Sequence, residues 1–179
     1  MRIIGGIYGG RRISPPPKMP YTRPTTDIAK EGLFNILQNN LDFDGMKTLD
    51  LFGGTGSISF ELASRGVANL TIIEKDSNMY DFIKKTAGDL GLLNINILRS
   101  DVFKFMESTA CKYDFIFAGP PYALATIDEL PKKIVEKKLL NPGGWFVLEH
   151  TPRNDYKKFD LYRTERNYGT TIFSIFVQD

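Results

Sequence analysis

Acidic residues fall at the ends of three consecutive apolar segments that the sequence predicts to be strands. Asp50 lies in the first segment, Glu74 ends the second and Asp101 ends the third. Because the carboxyl ends of parallel strands meet at one edge of a sheet, these carboxylates are expected to share a site. Glu74 can accept hydrogen bonds from both hydroxyls of a ribose, and Asp101, beside Val102, is placed for an adenine ring. An anionic site suits a cationic ligand, which indicates S-adenosylmethionine rather than NAD.

A glycine-rich turn follows the first of these strands, in the segment "DLFGGTGS" at residues 50–57. Gly53, Gly54 and Gly56 let the backbone turn tightly and approach a ligand without a Cβ in the way. The segment lacks both the G-x-G-x-x-G spacing of dinucleotide sites and the Lys-Ser/Thr ending of a phosphate-binding loop. Alone it predicts a tight strand-to-helix turn; together with the acids it favours a cofactor site.

The segment "GPPY", residues 119–122, comes directly after the fourth predicted strand. Pro120 and Pro121 fix the backbone and its carbonyl groups, and Tyr122 offers a ring on which an unstacked base can lie. Methyl transfer to an amino group needs an acceptor that orients the amine, so a loop of this kind suits that chemistry. The alternative is a rigid turn with a packed tyrosine; its place beside the expected cofactor favours the functional interpretation.

Basic and acidic residues are distributed unevenly along the chain. Residues 1–26 hold five basic residues and no acid, whereas the remainder holds 18 basic and 21 acidic residues. A basic segment on a mildly acidic body indicates a polyanionic partner. The chain has one cysteine and one histidine, which argues against a disulfide framework and against a metal site. It has no apolar run long enough to span a membrane and no signal peptide, so a cytoplasmic protein is expected.

The order of the predicted elements indicates an α/β fold formed by one domain over residues 1–179. Residues 1–24 form a basic extension with a small hairpin and a proline-rich segment, and residues 25–179 form the core. A helix over 28–40 is followed by alternating strands and helices, and two strands of alternating pattern within 159–179, on either side of 167–169, predict a terminal antiparallel hairpin. Alternation of this kind predicts a doubly wound, mostly parallel, Rossmann-like sheet.

The chain resembles the bacterial 16S rRNA guanine-N2 methyltransferases over nearly its whole length. The resemblance runs through "RIIGG", "GRR", "RPTTDIAKEGLFNIL", "DLFGGTGSISFE", "IIEKD", "SDVFKF", "FIFAGPPY", "GGWFVLEH" and "YGTTIFSIF". The stretch "RPTTD" with its following helix is the most specific, since general methyltransferases lack it. The resemblance implies a Rossmann-like methyltransferase fold, S-adenosylmethionine as cofactor, 16S rRNA or the assembling small subunit as partner, and a monomer without metal.

The same resemblance implies roles for individual positions. The cofactor would be bound by Asp50, Phe52, Gly54, Gly56, Glu74, Asp101 and Val102, with Thr26 at the pocket's closure. The catalytic loop would be Gly119, Pro120, Pro121 and Tyr122. The RNA would be met by Arg11, Arg12, Arg23 and Thr25.

One departure from the family pattern concerns the chemistry itself. Gly119 stands where the family has the aspartate of "DPPY" or "DPPF", whose carboxylate accepts a hydrogen bond from the target amine. Loss of one such group lowers kcat roughly 10²–10³-fold, so a weakened enzyme is expected. Two alternatives stay open at this point: a protein that binds cofactor and rRNA without catalysis, and an amino-methyltransferase acting on adenine in DNA.

Overall fold

The computed structural model describes residues 1–19 and 24–179. One seven-stranded sheet runs through it, with the strands in the order β3-β2-β1-β4-β5-β7-β6. The predicted residue Arg23 lies outside the described residues. In chain order the elements are α1 (Asp27–Asn40), β1 (Lys47–Asp50), α2 (Ser57–Ser64), β2 (Asn69–Glu74), α3 (Ser77–Asp89), β3 (Ile95–Arg99), α4 (Val102–Ser108), β4 (Tyr113–Ala118), α5 (Glu129–Glu136), β5 (Leu140–His150), β6 (Tyr162–Tyr168) and β7 (Thr171–Val177).

The first five strands are parallel, and β7 pairs antiparallel with both β5 and β6. The chain starts at β1, adds β2 and β3 on one side, and then returns to place β4 on the other side of β1. A crevice opens at the carboxyl ends of the strands where the winding reverses in this way. The predicted doubly wound sheet with a C-terminal antiparallel hairpin is confirmed.

Two hydrophobic layers cover the sheet. Helices α1, α2 and α3 pack on one face and α4 and α5 on the other. Strand β4 shows why the predicted strands are continuous apolar runs: Phe115 and Phe117 face the first layer, and Ile116 and Ala118 face the second. A parallel strand covered on both faces needs apolar residues at every position.

Helix α4 is not among the predicted elements, because it spans seven residues and follows directly on a strand end. Helix α3 begins at Ser77 and is capped by Asp76, whose carboxylate accepts from the Met79 amide. Strand β7 is not an alternating strand: it lies between two strands and is buried on both faces.

The N-terminal segment forms one isolated antiparallel β-bridge, between Arg2 and Arg12. The hairpin expected there is thus reduced to a single bridge without a ladder of paired strands. Ile3 and Ile13, on either side of this bridge, are buried in the first layer. The expected division into an extension over 1–24 and a core over 25–179 stays a prediction. Among the described residues, none of the helices is long and apolar enough to cross a membrane.

A buried network of ion pairs and hydrogen bonds attaches this N-terminal segment to helix α2. The Glu61 carboxylate, fully buried on α2, accepts from the amides of Ile4 at 2.8 Å and Gly5 at 2.9 Å. Its oxygens also lie 2.8 Å from Arg65 Nε and 3.5 Å from Lys30 Nζ. Lys30 is 1% exposed, and burial lowers its pKa while Glu61 opposes that change. One carboxylate thus compensates two cations and two backbone donors.

We expect Glu61→Ala to lower the free energy of unfolding by about 3–5 kcal/mol, because Lys30 would stay buried without its counterion. Urea unfolding followed by circular dichroism measures the change. Glu129→Ala is the matched control: it removes a carboxylate whose 3.5 Å ion pair with Lys132 lies at the surface, so it should cost less than about 1 kcal/mol. Equal losses in the two variants would contradict the role given to Glu61.

Candidate active site

A cavity of about 540 Å³ opens at the carboxyl edge of the sheet, next to the switch between β1 and β4. The loops after β1, β2, β3 and β4 all contribute to its walls. Its lining includes five residues predicted to bind the cofactor: Phe52, Gly54, Glu74, Asp101 and Val102. The volume is that of a pocket for a small organic ligand or cofactor. The structure therefore brings together most of the predicted cofactor residues.

The glycine-rich turn forms one wall of this cavity. Gly54 has a φ of +56° and Gly56 a φ of +79°, conformations that L side chains rarely adopt. A Cβ at Gly56 would also lie 2.3 Å from the Phe60 ring of α2. Gly56 itself lines no described cavity; it shapes the turn so that Gly54 can reach the ligand side.

Glu74 ties that turn to the end of β2. Its Oε2 accepts from the Gly54 amide at 2.6 Å, and its Oε1 accepts from the Asp76 amide at 2.9 Å. Burial raises the pKa of Glu74, and these two hydrogen bonds act against the rise. Each carboxylate oxygen keeps a further lone pair, so Glu74 can hold both loops and still accept from a ligand hydroxyl.

Asp101 has a structural role as well as a place in the cavity wall. It is the N-cap of α4, and its Oδ1 accepts from the amides of Phe103 at 3.0 Å and Lys104 at 3.1 Å. The second oxygen, Oδ2, lies 3.8 Å from Lys75 Nζ. Because Oδ1 is used in capping α4, Oδ2 is the oxygen that can accept a hydrogen bond from a ligand.

Asp50 lies behind the glycine-rich turn and is 1% exposed. Its oxygens accept from Ser59 Oγ at 2.6 Å and from the Phe52 amide at 3.3 Å. Burial raises its pKa from 3.8 to about 7, and the charges of Glu74 and Glu149 add to the rise. Asp50 does not line the large cavity, so its contact with a cofactor stays a prediction.

A second, smaller pocket of about 40 Å³ adjoins the cavity and shares Phe52, Gly54 and Gly119 with it. Thr25 and Glu149 also line it. Its volume is close to the ~30 Å³ that one water molecule occupies in the liquid. The pocket therefore fits a small polar group next to the cofactor cavity.

Glu149, near the end of β5, is the site residue that the sequence analysis missed. It is 4% exposed, and its oxygens accept from Thr25 Oγ1 at 2.8 Å and from the Tyr122 hydroxyl at 3.1 Å. Burial raises its pKa, and those two hydrogen bonds oppose the rise. An acid at the end of a fifth apolar strand, "GGWFVLEH", was the available signal.

The predicted catalytic loop lies between the two pockets. Gly119 lines both of them and Pro121 lines the large one, whereas Pro120 is buried. The Tyr122 hydroxyl, besides its bond to Glu149, lies 3.3 Å from Thr171 Oγ1 at the start of β7. The loop is thus fixed to the ends of two further strands.

Of the residues predicted to meet the RNA, Arg11 and Arg12 are exposed, and the Arg11 guanidinium lies 5.1 Å from the centre of the Tyr8 ring. Thr25 lines the small pocket. Thr26 is exposed, lines neither pocket, and is the N-cap of α1, where its hydroxyl accepts from the Ala29 amide. Its place at the closure of the cofactor pocket stays a prediction.

Metal ligands do not gather anywhere in residues 1–19 and 24–179: no group of three His, Cys, Asp or Glu side chains could hold an ion there. The single histidine, His150, is fully buried at the end of β5. Its ring nitrogens lie 2.7 Å from Ser174 Oγ and 2.8 Å from the Thr151 carbonyl oxygen. That placement gives His150 a packing role between β5 and β7.

The Rossmann-like sheet thus carries a ligand cavity at its switch point and a smaller pocket beside it. A methyltransferase structure from Escherichia coli has this fold, with a TM-score of 0.85 and 24% identity over 100% of this chain and 98% of that one. A 16S rRNA N2 methyltransferase from T. thermophilus, in complex with AdoMet and guanosine, gives a TM-score of 0.67 and 22% identity over 87% of this chain and 44% of that one.

The family model described as conserved hypothetical protein 95 matches residues 1–177, and the chain belongs to that family. The ribosomal RNA small subunit methyltransferase D of Escherichia coli is 32% identical over 149 residues, which cover 83% of this chain and 71% of that protein. The expected family and the expected enzyme class, a methyltransferase, are confirmed by these relationships.

The shape of the glycine-rich turn can be tested at Gly56. We expect Gly56→Ala to lower the affinity for S-adenosylhomocysteine at least tenfold, because the methyl group would displace the turn from the Phe60 ring. Gly66→Ala, at the other end of α2, is the matched control: its φ is +108°, with nothing within 4 Å of the added Cβ. Both variants should lose about 1–2 kcal/mol of stability from backbone strain. Calorimetry should show weaker binding in Gly56→Ala alone; weaker binding in both would mean that strain, not the turn, is responsible.

The buried carboxylate of Asp50 predicts a pH dependence of stability. Its folded pKa of about 7 exceeds its ordinary 3.8, so the unfolded state releases this proton first and stability falls as the pH rises from about 4 to 7. One pKa unit corresponds to about 1.4 kcal/mol, so the effect reaches about 4 kcal/mol above pH 7. The stability of Asp50→Asn relative to the wild type should therefore increase over this range.

Urea unfolding between pH 4 and pH 8 measures this difference. Asp89→Asn, which changes an exposed aspartate on α3, is the control and should follow the wild type at every pH. Parallel curves for Asp50→Asn and the wild type would show that Asp50 ionises as easily in the folded as in the unfolded chain.

Proposed function

We propose that this protein transfers a methyl group from S-adenosylmethionine to the exocyclic N2 amine of a guanine in small-subunit ribosomal RNA. The observation that carries the proposal is the adjacency of the two pockets: a cofactor-sized cavity opens beside a pocket for one small polar group, and Gly119 lines both. The family and its rRNA methyltransferase relative support the RNA substrate. The T. thermophilus structure with AdoMet and guanosine supports the guanine amine.

S-adenosylmethionine is the methyl donor, and the residues of the large cavity fit it. Glu74 has acceptor capacity for ribose hydroxyls, Val102 offers an apolar surface for the adenine ring, and Asp101 lies beside it. The carboxyl groups of Asp50 and Glu149 are buried in the lining of the small pocket, and burial raises the pKa of both. A bound cation favours their ionised, negatively charged forms. A sulfonium ion, which carries a positive charge and an electrophilic methyl group, is stabilised by such surroundings.

The chain's own contribution to catalysis is orientation. The Pro120–Pro121 backbone holds the loop after β4, and Tyr122 is fixed through its hydroxyl to Glu149 and Thr171. A guanine that stacks on the Tyr122 ring would direct its amine into the small pocket. Holding two reacting groups in line contributes as much as about 7–11 kcal/mol to lowering a barrier. No covalent intermediate on the protein is required.

The N-terminal segment supplies the contact with RNA phosphates. Arg11 and Arg12 are exposed, and the segment that carries them is attached to α2 by the hydrogen bonds of Ile4 and Gly5 to Glu61, so their charges do not lie on a free tail. Electrostatic contacts of this kind set affinity and position without reading sequence. The assignments to the cytoplasm, to a monomer and to a metal-free enzyme stay predictions.

Transfer of a labelled methyl group from S-adenosylmethionine to small-subunit rRNA lacking base modifications tests the proposal directly. We expect N2-methylguanosine as the product after digestion to nucleosides. Naked rRNA and partly assembled subunits are assayed in parallel as substrates. Transfer to adenine in duplex DNA, or binding of S-adenosylhomocysteine and rRNA without any transfer, would replace the proposal with one of the two alternatives raised by the sequence.

The role of the arginine pair has its own test in the salt dependence of RNA binding. Arg11→Ala/Arg12→Ala should weaken binding at low salt and reduce the log–log salt slope by about 2, one for each lost phosphate contact. Lys112→Ala/Lys132→Ala is the matched control, since it removes two exposed cations elsewhere: one precedes β4 and the other lies on α5. Equal slopes for the two double variants would exclude a specific contact by the arginines.

A further inference from the structure

We propose that Glu149 is the catalytic carboxylate of this enzyme: it accepts the hydrogen bond, and then the proton, of the target amine. It takes the role that the family resemblance assigns to an aspartate at position 119. This inference rests on the proposed function, because it names the acceptor for that reaction.

The position of Glu149 follows from the register of two neighbouring strands. Ala118 at the end of β4 pairs with Leu148 on β5, so the next residue of each strand, Gly119 and Glu149, also lie side by side. A Cβ built on Gly119 would lie 3.3 Å from Glu149 Oε2. The space that an aspartate side chain would enter from β4 is therefore already reached by a carboxylate from β5.

The surroundings of Glu149 suit an acceptor for an incoming amine. The carboxylate lines the small pocket and is 4% exposed, so solvent does not compete for it. Among residues 1–19 and 24–179, the donors to Glu149 are the hydroxyls of Thr25 and Tyr122, which are neutral, and each oxygen keeps capacity for another hydrogen bond. Burial raises the pKa of Glu149 and makes it a better base than an exposed carboxylate.

With Glu149 as the proton acceptor, the bonds, electrons and protons of the methyl transfer balance. A bond forms between N2 and the methyl carbon, and the carbon–sulfur electron pair returns to the sulfur. The nitrogen then carries one proton too many; that proton passes to the Glu149 carboxylate and leaves to solvent with the product. The hydrogen bond before transfer orients the amine lone pair toward the methyl group.

Gly119 fits this arrangement better than an aspartate would. Two carboxylates at such a distance do not both ionise, so one would take up a proton and lose its acceptor strength. The φ of Gly119 is not in the left-handed region, so backbone conformation does not require a glycine there. We infer that the glycine leaves room for the Glu149 carboxylate and the target amine.

A double-variant cycle tests the catalytic role by single-turnover methyl transfer to the rRNA. Glu149→Gln should lower the rate about 10²–10³-fold. Gly119→Asp alone should also lower the rate, because the added carboxylate would share a proton with Glu149. Gly119→Asp/Glu149→Gln should recover at least tenfold over Glu149→Gln, because a single carboxylate then returns from the other strand. If Glu149 only held Thr25 and Tyr122 in place, an aspartate at 119 would bring no recovery.

A binding measurement provides a readout independent of turnover. The ligand is a short single-stranded RNA with the target sequence found by the transfer assay, carrying guanosine or inosine at the target, with S-adenosylhomocysteine bound to the protein. Inosine lacks the 2-amine, so the wild type should prefer guanosine by about tenfold or more. In Glu149→Gln the preference should fall below threefold; an unchanged preference would overturn the proposal.

Failure of this inference is distinguishable from failure of the proposed function. A wild-type protein that transfers no methyl group to rRNA would refute the function itself. A wild type that is active, with an equally active Glu149→Gln variant, would refute only the role of Glu149. Binding of S-adenosylhomocysteine by every variant, measured by calorimetry, confirms that the folds are intact.

Discussion

Burial of carboxylates at one edge of the sheet is the constraint on which the site depends. Asp50, Glu74 and Glu149 come from three different strands, and burial raises the pKa of each. Buried charge opposes folding unless hydrogen bonds compensate it. Here the compensating donors are the backbone of the glycine-rich turn, Ser59, Thr25 and Tyr122. The same bonds that satisfy the acids therefore fix the glycine-rich turn after β1 and the loop after β4, which both line the cavity.

Much of this arrangement could be predicted from local sequence, because local patterns determine it. Continuous apolar runs mark the parallel strands, and glycines with left-handed φ mark the turns. The acids at or after the ends of β1, β2 and β3 were therefore predicted to lie at one edge of the sheet, and Glu74 and Asp101 line the same cavity. The short helix α4 was missed because its seven residues carry too little periodicity next to a strand end. The capping role of Thr26 was not singled out, because a threonine before a helix is suited both to capping and to contact with a ligand.

Glu149 could not be assigned from sequence for a different physical reason. Its relation to Gly119 depends on how β4 and β5 align across the 29 residues between these two positions, and that alignment includes an irregularity between Tyr113 and Phe115. A shift of one residue in a strand moves a side chain to the opposite face of the sheet. A linear motif reports which side chain a loop lacks. It does not report which side chain the neighbouring strand supplies.

The position of β7 between β5 and β6 has a consequence for how the molecule assembles. Strand β6 precedes β7 in the chain yet hydrogen-bonds only to it within the sheet, so β6 cannot join before β7 has formed. The two strands can pair early as a local hairpin, since such closures take microseconds. Until that hairpin docks, β5 presents an open edge flanked by Phe146, Val147 and Leu148, which would pair readily with another chain. Docking of the hairpin is thus the step that protects the nascent protein from aggregation.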